Sequence, residues 1–457
     1  MFTISEILKA VNGTLIQGPA KADVRSVGID SRSVKKGELF IAIKGDVFDG
    51  HDFVADVIAR GVRAVVVGRA VSVKAPDVSV ILVKDTVSAL GDIARFHRLR
   101  FNVPVIALTG SAGKTTTKEM MAAVLGRKYK VLKNEGTQNN HIGVPLTLLK
   151  LKPAHRIVVL ECGTNQPGDM AWLADVARPQ TAVFTNIGAS HLEKLKSVKG
   201  VLQEKWALTS HMGRGDTVIV NADDALLAGQ IRRKNDFRVI TYGLKEGVDW
   251  QAVDIRRSGN LYFKVRGKTI ELKPCGFQNV YNALAAVSCG ALFKVPLAAV
   301  SRVLKAFDGL AGRGQILRLG RGWMINDTYN ANPVSMRAAL QTLQAVETQG
   351  QRIFVAADML ELGSRSRALH LAMGESIAAA GVDVLISAGP MAGLMAAQAR
   401  RSNKKIQVFA CADAQSAQKY LTKVFHNGDA VLIKGSRRMK MEQVSEFLLA
   451  SPDKKIE

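Results

Sequence analysis

Residues 105–121, VIALTGSAGKTTTKEMM, place a lysine and three threonines directly after a loop that contains two glycines. The apolar run before the loop is typical of a β-strand, and the residues after it are typical of a helix. A glycine loop between a strand and a helix directs backbone N–H groups and a helix N-terminus toward one point, and this arrangement binds phosphate. The pattern predicts that Lys114 reaches the β and γ phosphates of a nucleotide and that the Thr115 hydroxyl binds Mg²⁺.

The glycine spacing of this loop differs from the common phosphate-loop pattern, in which a glycine stands five residues before the Gly-Lys pair. That position is Leu108 here, and the glycines of the loop are Gly110 and Gly113. An ordinary turn between a strand and a helix is the alternative interpretation. The Gly-Lys-Thr-Thr run at the start of a helix, directly after an apolar strand, favours a nucleotide site of a different type.

Three further residues could serve the same site. Glu161 ends the apolar run RIVVLE, and an acid at the carboxyl end of such a strand lies beside the phosphate loop in parallel sheets. His191 follows the apolar run TAVF at a strand-to-helix turn and could face the same cleft, whereas most single histidines have a structural role. Lys205, within LQEKWAL, has the pattern of a surface lysine when it is taken alone.

The alternation of strands and helices indicates an α/β protein made of several units. In the first hundred residues, short apolar runs separated by turns predict a small α/β unit. From residue 104 onward, apolar strands separated by helical stretches predict a parallel sheet covered on both faces, and residues 251–272 predict an antiparallel insertion. The glycine-rich segment 309–315 marks a boundary, and the strands beyond it alternate with helices as in another doubly wound unit.

Length and composition limit the class of protein. A chain of 457 residues with 47% apolar residues suggests two to four domains with substantial cores. The N-terminal stretch carries Glu6 and Lys9 and has no long apolar core, which argues against a secretory signal, and no run of about 18 apolar residues predicts a membrane span. The four cysteines are scattered, so we expect a reduced, cytoplasmic protein without a disulfide framework or a zinc knuckle.

The formal net charge of +24 is large, and residues 101–312 carry the greatest excess, with 29 basic against 16 acidic side chains. Basic proteins attract nucleic acids and anionic membranes, or they bind polyanionic substrates. A basic bias across the whole proteome would give the same balance. No aromatic RNA-binding signature or zinc-finger spacing accompanies the charge, so we expect no nucleic-acid partner.

Four stretches together resemble the Mur ligases, the ATP-dependent amide-forming enzymes of peptidoglycan assembly: TGSAGKTTTKEM, GTQNNHIGVPLTLL, ECGTNQPGDM and NIGASHLE. The resemblance continues through NDTYNANPVSM, DMLELG and VLIKGSRRMKME, and thus covers nearly the whole chain. It implies an α/β fold of three domains: a small α/β UDP-binding domain (residues 1–97), a central P-loop ATPase domain with a parallel sheet (residues 98–312) and a C-terminal Rossmann-like domain (residues 313–457).

The resemblance also implies an activity. Within the family, the stretches DSRSVKKGELFIAIKGDVFDGHDF and NDTYNANP are similar to the member that joins D-alanyl-D-alanine to UDP-N-acetylmuramoyl-tripeptide through an acyl phosphate, in the cytoplasmic synthesis of peptidoglycan precursors. The implied cofactors are ATP and Mg²⁺. We expect a monomer in which the third domain, hinged near residues 312–314, closes over the acyl phosphate and shelters it from water.

Matched motif by motif, the resemblance implies a role for each candidate residue. Catalysis would use Lys114, Lys205, His191 and Asp327. ATP would be held by Gly110, Ser111, Ala112, Gly113, Lys114, Thr115, Thr116, Asn282 and Arg313. The metal would be bound by Thr115, Glu161, His191 and Lys205, whose amine would be carbamylated and so become an anionic oxygen ligand. The substrates would contact Ser31, Arg32, Lys44, Asp49, Gly50, His51, Asn139, Asn140, Tyr329, Asn330 and Asn332.

Three other functions remain open from the residues. The first is another amide ligase of the same superfamily, either the Mur ligase that adds diaminopimelate or lysine or a folylpolyglutamate synthetase. The second is an ATPase that binds nucleic acid, which the positive charge suggests. The third is a regulator that keeps the scaffold without catalysis. The joint presence of Lys114, Thr115, Glu161, His191 and Lys205 argues against the third.

Overall fold

The structure is a computed structural model that describes residues 2–233 and 235–450, and it contains three α/β domains. Each domain has its own β-sheet with helices packed against it. This architecture agrees with the α/β class and the three domains expected from the sequence. It follows from the alternation of apolar strands with helices, since each element must bury an apolar face against another layer.

The N-terminal domain carries a five-stranded sheet and a short two-stranded pair. Its elements are β1 (Phe2–Thr3), α1 (Ile4–Val11), β2 (Thr14–Gln17), β3 (Asp23–Val24), β4 (Val27–Gly28), β5 (Leu39–Ile41), a 3₁₀ turn (Gly50–Phe53), α2 (Val54–Ala59), β6 (Ala64–Val67), β7 (Ser79–Leu82) and α3 (Thr86–Leu99). The larger sheet has the order β2-β7-β6-β5-β4. Strands β4 to β7 are parallel, so the loops that follow them gather at one edge.

The central domain carries a seven-stranded sheet and a three-stranded one. Its elements are β8 (Val105–Thr109), α4 (Lys114–Leu125), β9 (Val131–Lys133), α5 (Gly143–Leu149), β10 (Ile157–Glu161), α6 (Asp169–Ala177), β11 (Thr181–Phe184), α7 (Leu192–Leu195), α8 (Val198–Trp206), a 3₁₀ turn (Ala207–Thr209), β12 (Thr217–Asn221), α9 (Ala225–Ile231), β13 (Arg238–Gly243), β14 (Trp250–Gln251), β15 (Val253–Ser258), β16 (Asn260–Val265), β17 (Lys268–Leu272), α10 (Gln278–Leu292) and α11 (Leu297–Lys305).

The seven-stranded sheet has the order β14-β13-β12-β11-β8-β10-β9, and all its neighbouring strands are parallel. Every residue of β8, β10, β11 and β12 is buried, which explains why these strands read as continuous apolar runs. Strands β15, β16 and β17 form the antiparallel insertion that the sequence predicts.

The C-terminal domain carries a six-stranded sheet in the order β18-β19-β23-β20-β21-β22. Its elements are β18 (Gln315–Leu319), β19 (Gly322–Asp327), α12 (Pro333–Ala345), β20 (Arg352–Ala357), a 3₁₀ turn (Gly363–Arg365), α13 (Ser366–Ala379), β21 (Val384–Ala388), α14 (Pro390–Ser402), β22 (Gln407–Cys411), α15 (Ala414–Val424), β23 (Ala430–Lys434), a 3₁₀ turn (Arg437–Met439) and α16 (Glu442–Ala450). Strand β18 is antiparallel to β19, and the other pairs are parallel.

Helix α3 joins the N-terminal and central domains, and it runs through the expected boundary between residues 97 and 98. Its Gly91 lies against Trp172 of α6, where an added Cβ would be 2.3 Å from the indole ring. The helix also packs against α5 of the central domain. Because one continuous helix contacts both domains, the N-terminal domain is attached through packed side chains rather than a free linker.

None of the helices in residues 2–233 and 235–450 combines the length and the apolar character that a membrane span requires.

Candidate functional site

A cleft of about 680 Å³ lies between the central and C-terminal domains. We call its residues up to 282 the central wall and its residues from 313 onward the C-terminal wall. The central wall is built mainly from the loops after β8, β9, β10 and β11, and the C-terminal wall includes the loops after β19 and β20 and the end of β23. Ligands of open α/β sheets bind outside the carboxyl ends of the strands, so this cleft is the expected place for a nucleotide.

The loop after β8 has the geometry of a phosphate site. Helix α4 begins at Lys114, and its N-cap residue, Gly113, offers no side-chain hydrogen bond to the first turn. Gly113 has φ 81°, and a Cβ there would lie 2.5 Å from Asn282 Oδ1, so glycine is required at this position. The exposed end of a helix without a cap leaves backbone N–H groups available to an anion.

Asn186, in the loop after β11, holds the first half of the phosphate loop. Its backbone carbonyl accepts the Ser111 N–H at 3.0 Å, and its Oδ1 accepts the Ala112 N–H at 2.9 Å. Thr185 Oγ1 donates to the Ala112 carbonyl at 2.7 Å, and a Cβ on Gly110 would lie 1.9 Å from that hydroxyl oxygen. The N–H groups of Ser111 and Ala112 are therefore engaged, and the backbone donors left available to an anion begin at Gly113.

Glu161 is buried at the end of β10, with 1% of its surface exposed. Its carboxylate accepts hydrogen bonds from Thr115 Oγ1 and Asn139 Nδ2, both at 2.7 Å. Asn134 fixes the backbone of Glu161 by donating to its carbonyl and accepting its N–H, each at 2.9 Å. No direct ion pair to this carboxylate occurs among the described residues, and its hydrogen-bond partners are neutral, although Lys114 and Lys205 are close enough to interact with its charge.

Lys205 is buried in α8 behind the cleft, with 1% of its surface exposed. Burial lowers the pKa of its amine well below the ordinary value, and the positive charge of Lys114 lowers it further, while Glu204 and Glu161 oppose the shift. Its neighbour Glu204 accepts hydrogen bonds from Thr164 Oγ1, the Gly168 N–H and the Met170 N–H. Helix α8 is thus tied to the loop that follows β10, and Lys205 is favoured as a neutral amine.

His191 lies in the loop after β11 with a left-handed backbone, φ 51°. Its Nδ1 is 2.6 Å from Glu361 Oε2 of the C-terminal domain. The carbonyl of Glu361 also accepts the Glu193 N–H at 3.1 Å. These contacts join the two walls of the cleft.

The C-terminal wall carries a stacked arginine and a buried ion pair. The guanidinium of Arg313 lies 3.7 Å from the centre of the Tyr329 ring, so the ring fixes its position. Lys434 Nζ, at the end of β23, donates to Asp327 Oδ2 at 2.5 Å and to the Asn330 carbonyl at 2.9 Å. Burial raises the pKa of Asp327, and Lys434 opposes that shift.

The cleft brings together most of the residues that the sequence singled out. Lining it are Ser111, Ala112, Gly113, Lys114, Thr115, Thr116, Asn139, Asn140, Glu161, His191, Asn282, Arg313, Asp327, Tyr329, Asn330 and Asn332. Gly110 stands at the base of the phosphate loop, and Lys205 lies behind the central wall. Asn332 also caps α12 and donates from Nδ2 to the Ser111 carbonyl at 3.2 Å, which links the C-terminal wall to the phosphate loop.

The six predicted substrate contacts of the N-terminal domain do not line this cleft. They follow β4 and β5, and are Ser31, Arg32, Lys44, Asp49, Gly50 and His51. Arg32 pairs with Asp30 through both carboxylate oxygens, and this bond is the main cause that lowers the pKa of Asp30 to about 2. His51 accepts the Gly68 N–H on Nε2 at 2.8 Å, so its Nδ1 carries the proton and donates to Asp49 at 2.6 Å.

Sequence reasoning missed two residues whose contacts shape the cleft, Asn186 and Glu361. Asn186 directly follows the TAVFT run, so the same rule that singled out Glu161 at a strand end could have found it. Glu361 lies in the DMLELG motif, but no local pattern indicates that it meets His191, which is 170 positions away. Only the packing of the two domains brings that pair together.

The donor set of the central wall fits Mg²⁺. The Thr115 hydroxyl and the Glu161 carboxylate are hard oxygen donors 2.7 Å apart, and the buried carboxylate forms no direct ion pair among the described residues. Those residues contain no group of three or more histidines, cysteines or acids arranged as a metal site. This is compatible with Mg²⁺, because it usually takes one or two protein carboxylates and completes its shell with phosphate oxygens and water.

Three domain families of the Mur ligases match the chain. The Mur ligase family catalytic domain matches residues 23–98, the Mur ligase middle domain matches residues 108–290, and the Mur ligase glutamate ligase domain matches residues 312–437. Together they span the three domains described above.

Named relatives match over nearly the whole chain. The UDP-N-acetylmuramoyl-tripeptide–D-alanyl-D-alanine ligase of Bacillus subtilis (strain 168) is 34% identical over an alignment of 455 positions that covers 98% of this chain and 99% of the relative. The ligase of the same name from Escherichia coli (strain K12) is also 34% identical over 455 residues, 98% of each chain.

Solved structures agree with this similarity. A crystal structure of MurF from Acinetobacter baumannii superimposes with a TM-score of 0.90 at 30% identity and covers 98% of this chain and 99% of that one. MurF from Thermotoga maritima in complex with ADP superimposes with a TM-score of 0.84 at 27% identity and covers 94% and 98%.

Proposed function

The chain belongs to the Mur ligase family, and we propose that it is the ATP-dependent ligase that joins D-alanyl-D-alanine to UDP-N-acetylmuramoyl-tripeptide in the cytoplasmic synthesis of peptidoglycan precursors. The choice of substrates is supported by the full-length relatives, whose names state that activity. The ligase chemistry is supported by one observation about the cleft. Its central wall carries the uncapped N-terminus of α4 and the buried Glu161, and its C-terminal wall carries Arg313 and Asp327.

The triphosphate of ATP binds at the N-terminus of α4 in this proposal. Lys114 lines the cleft, and its Nζ lies 3.1 Å from the Gly110 carbonyl, at the base of the loop. Arg313 faces the same space from the C-terminal wall, close enough for its charge to lower the pKa of Lys114, although burial is the main cause of that shift. Two cations that converge from opposite walls suit a polyphosphate.

A second cavity, of about 390 Å³, adjoins the cleft, and Thr116, Asn279 and Arg313 line both spaces. Its other lining includes the apolar side chains of Met120 and Phe307. A flat, weakly polar group beside the phosphate site would be accommodated there, so we place the adenine in this cavity. Asn282, which the resemblance assigns to ATP, lines the main cleft rather than this cavity, and it accepts a hydrogen bond from Thr117 Oγ1 of α4.

Amide formation requires that the carboxylate of the tripeptide be activated. In the proposed reaction its oxygen attacks the γ-phosphorus of ATP, the bond to the β-γ bridging oxygen breaks, and ADP leaves. The amine of D-alanyl-D-alanine then attacks the acyl phosphate carbon, gives up a proton, and displaces phosphate. Lys114 and Arg313 offset the negative charge that gathers, so catalysis is mainly positioning and electrostatics.

We propose Glu161, Thr115 and His191 as the protein ligands of Mg²⁺, with Asp327 approaching from the other wall. Mg²⁺, when bound, reduces the repulsion between the phosphate oxygens and the attacking carboxylate. Lys205 is proposed to be carbamylated, because CO₂ reacts with a neutral amine and this buried amine is favoured in its neutral form. The carbamate would present anionic oxygens next to Glu161, where an ammonium would repel a metal ion.

The N-terminal loops are proposed to hold the UDP part of the substrate. Arg32, with 86% of its side chain exposed, and Lys44 offer positive charge at the edge where the parallel strands end. We keep the expected division into residues 1–97, 98–312 and 313–457, with hinge motion near Gly312 and Gly314, which both have left-handed backbones. We also propose that the protein acts as a monomer.

Phosphate release measured with ATP, Mg²⁺ and UDP-N-acetylmuramoyl-tripeptide tests this function while the amine donor is varied. D-Alanyl-D-alanine should support release and yield the pentapeptide product by mass spectrometry, whereas diaminopimelate, lysine and glutamate should not. Release that requires another amine would assign the chain to a different amide ligase. Release that depends on an added polynucleotide and falls steeply with salt would favour the nucleic-acid ATPase.

A further inference from the structure

Glu361 belongs to the C-terminal domain but contacts the central domain through both its side chain and its backbone. Its carboxylate lies 2.6 Å from His191 Nδ1, and its carbonyl accepts the Glu193 N–H at 3.1 Å. Both His191 and Glu361 line the cleft. The carboxylate therefore reaches a residue of the central wall that the proposed function assigns to the metal.

The contact with Glu361 determines which ring nitrogen of His191 can bind a metal ion. A carboxylate can only accept hydrogen bonds, so the proton of the neutral imidazole lies on Nδ1 and the lone pair remains on Nε2. Histidines that bind metals commonly donate their other N–H to a carboxylate, which fixes the ring and raises its basicity as a ligand. Here the supporting carboxylate comes from a different domain than the histidine it supports.

The segment that carries Glu361 is itself firmly held. The Met359 N–H donates to His370 Nε2 at 3.0 Å, and the Leu360 N–H donates to Ser436 Oγ at 2.8 Å. Glu361 has φ 64°, a conformation that costs free energy for a residue with a side chain, and surrounding contacts must maintain it. His370 belongs to α13 and Ser436 follows β23, so both bonds hold the segment to the C-terminal domain. The Glu361 carboxylate therefore moves together with that domain.

We propose that Glu361 is a positioning residue that orients His191 for the metal, so that metal affinity depends on the placement of the C-terminal domain against the central domain. This inference rests on the metal role given to His191 in the proposed function. It means that the metal site is complete only when the two walls are in contact. By linkage, metal binding must then favour that contact to the same extent.

Metal affinity can be measured apart from catalysis. Mn²⁺ is titrated into the full chain and followed by electron paramagnetic resonance, in the presence of the non-hydrolysable analogue adenosine 5′-(β,γ-imido)triphosphate. Glu361→Ala should weaken Mn²⁺ binding about tenfold, the lower end of what the loss of such a supporting group costs. Glu375→Gln is the matched control, because it removes one exposed acid from the same domain, and it should leave the affinity unchanged.

A double-mutant cycle separates positioning from general damage. If Glu361 acts through His191, then Glu361→Ala should have little further effect on Mn²⁺ affinity once His191→Ala is present. Additive losses would overturn the proposal, and so would a Glu361→Ala affinity within twofold of the unsubstituted chain. Should Glu361→Ala fold poorly, Glu361→Met keeps the side-chain length but has no strong hydrogen-bond acceptor, and an unchanged Mn²⁺ affinity in this variant would equally overturn the proposal.

Steady-state kinetics supply a second readout. In Glu361→Ala, the Mg²⁺ concentration needed for half-maximal phosphate release should rise about tenfold, while the rate at saturating Mg²⁺ should return to near that of the unsubstituted chain. A lower maximal rate with an unchanged Mg²⁺ requirement would overturn the proposal. The amine-donor assay on the unsubstituted chain decides the proposed function separately, so the two ideas can fail independently.

Discussion

In the central wall of the cleft Glu161 is held by the neutral donors of Thr115 and Asn139, whereas in the C-terminal wall Asp327 and Glu361 each face a basic side chain. The central carboxylate is buried and keeps its charge unmatched by any ion pair among the described residues. The C-terminal carboxylates are paired with Lys434 and with the imidazole of His191.

The different pairing of the carboxylates indicates which ligand each wall can bind. A buried carboxylate without a direct ion-pair partner is costly, so a metal cation bound next to Glu161 would stabilise the central wall. In the C-terminal wall Asp327 is already paired with Lys434 and Glu361 is hydrogen-bonded to His191, and Arg313 is left facing the cleft, held against Tyr329. We therefore expect the central wall to carry the metal and the phosphates, and the C-terminal wall to complete the site when the domains meet.

The largest effect is expected in the central wall. Lys114→Ala should abolish measurable phosphate release, a loss of at least about 10³-fold, because it removes the cation nearest the phosphate loop. Circular dichroism should show an unchanged fold, since Lys114 is only partly buried. Retained ATP-dependent ligation by this variant would show that the loop does not act on the phosphates.

Lys205→Ala tests the metal role that we propose for the buried lysine of the central domain. Activity should fall by roughly 10²-fold, because a metal ligand would be lost. Excess bicarbonate should not restore activity, since no amine remains to be carbamylated, whereas acetate or formate should restore part of it by filling the space with a carboxylate. Full activity of the variant without any addition would contradict the carbamate assignment.

In the C-terminal wall the pair of Asp327 and Lys434 can be broken directly. Lys434 has 1% of its side chain exposed, so Lys434→Met keeps the bulk but leaves Asp327 without its cation. We expect the free energy of unfolding to fall by about 3 kcal/mol, as for other buried pairs that lose one partner. Urea unfolding measures this, with the exposed Lys423→Met as the control. A loss below about 1 kcal/mol would mean that the pair is not effectively buried.

The smallest expected effect is on the pH dependence of stability, through His370, which holds the segment that carries Glu361. His370 is buried, accepts the Met359 N–H on Nε2 and donates from Nδ1 to the Ser366 carbonyl at 2.8 Å, so it must be neutral. Burial lowers its pKa below the unfolded value, and the hydrogen bond to the Ser366 carbonyl and the charge of Asp358 oppose this shift. Its contribution to stability is therefore complete above the unfolded pKa, near 6.5, and is lost as the pH falls below it.

When the pH is lowered from 7.5 to 5.5, the free energy of unfolding should therefore fall less in His370→Gln than in the unsubstituted chain. Urea unfolding at the two pH values gives the comparison, and the other histidines contribute equally to both proteins. His426→Gln, at an exposed position, is the control. An identical pH dependence in His370→Gln and the unsubstituted chain would mean that His370 can take up a proton without disturbing the segment.

The sequence alone determined the α/β class, the glycine loop between β8 and α4 and the carboxyl-end position of Glu161. These features depend on short-range patterns: apolar runs of strand length, the spacing of Gly110 and Gly113, and a lysine and threonines at a helix start. The backbone and its nearest neighbours dictate such patterns, so they can be read without knowledge of distant contacts. The family resemblance added the three domains and the order of their roles.

Only the tertiary structure decided how the two walls meet. The pairing of His191 with Glu361, the burial of Lys205 behind Glu161, and the engagement of the Ser111 and Ala112 N–H groups by Asn186 all join residues far apart in the chain. The sequence around Lys205 has the pattern of a surface helix because α8 is polar. Its burial results from the packing of α8 near the cleft. Contacts of this kind depend on domain packing, which no local pattern of residues encodes.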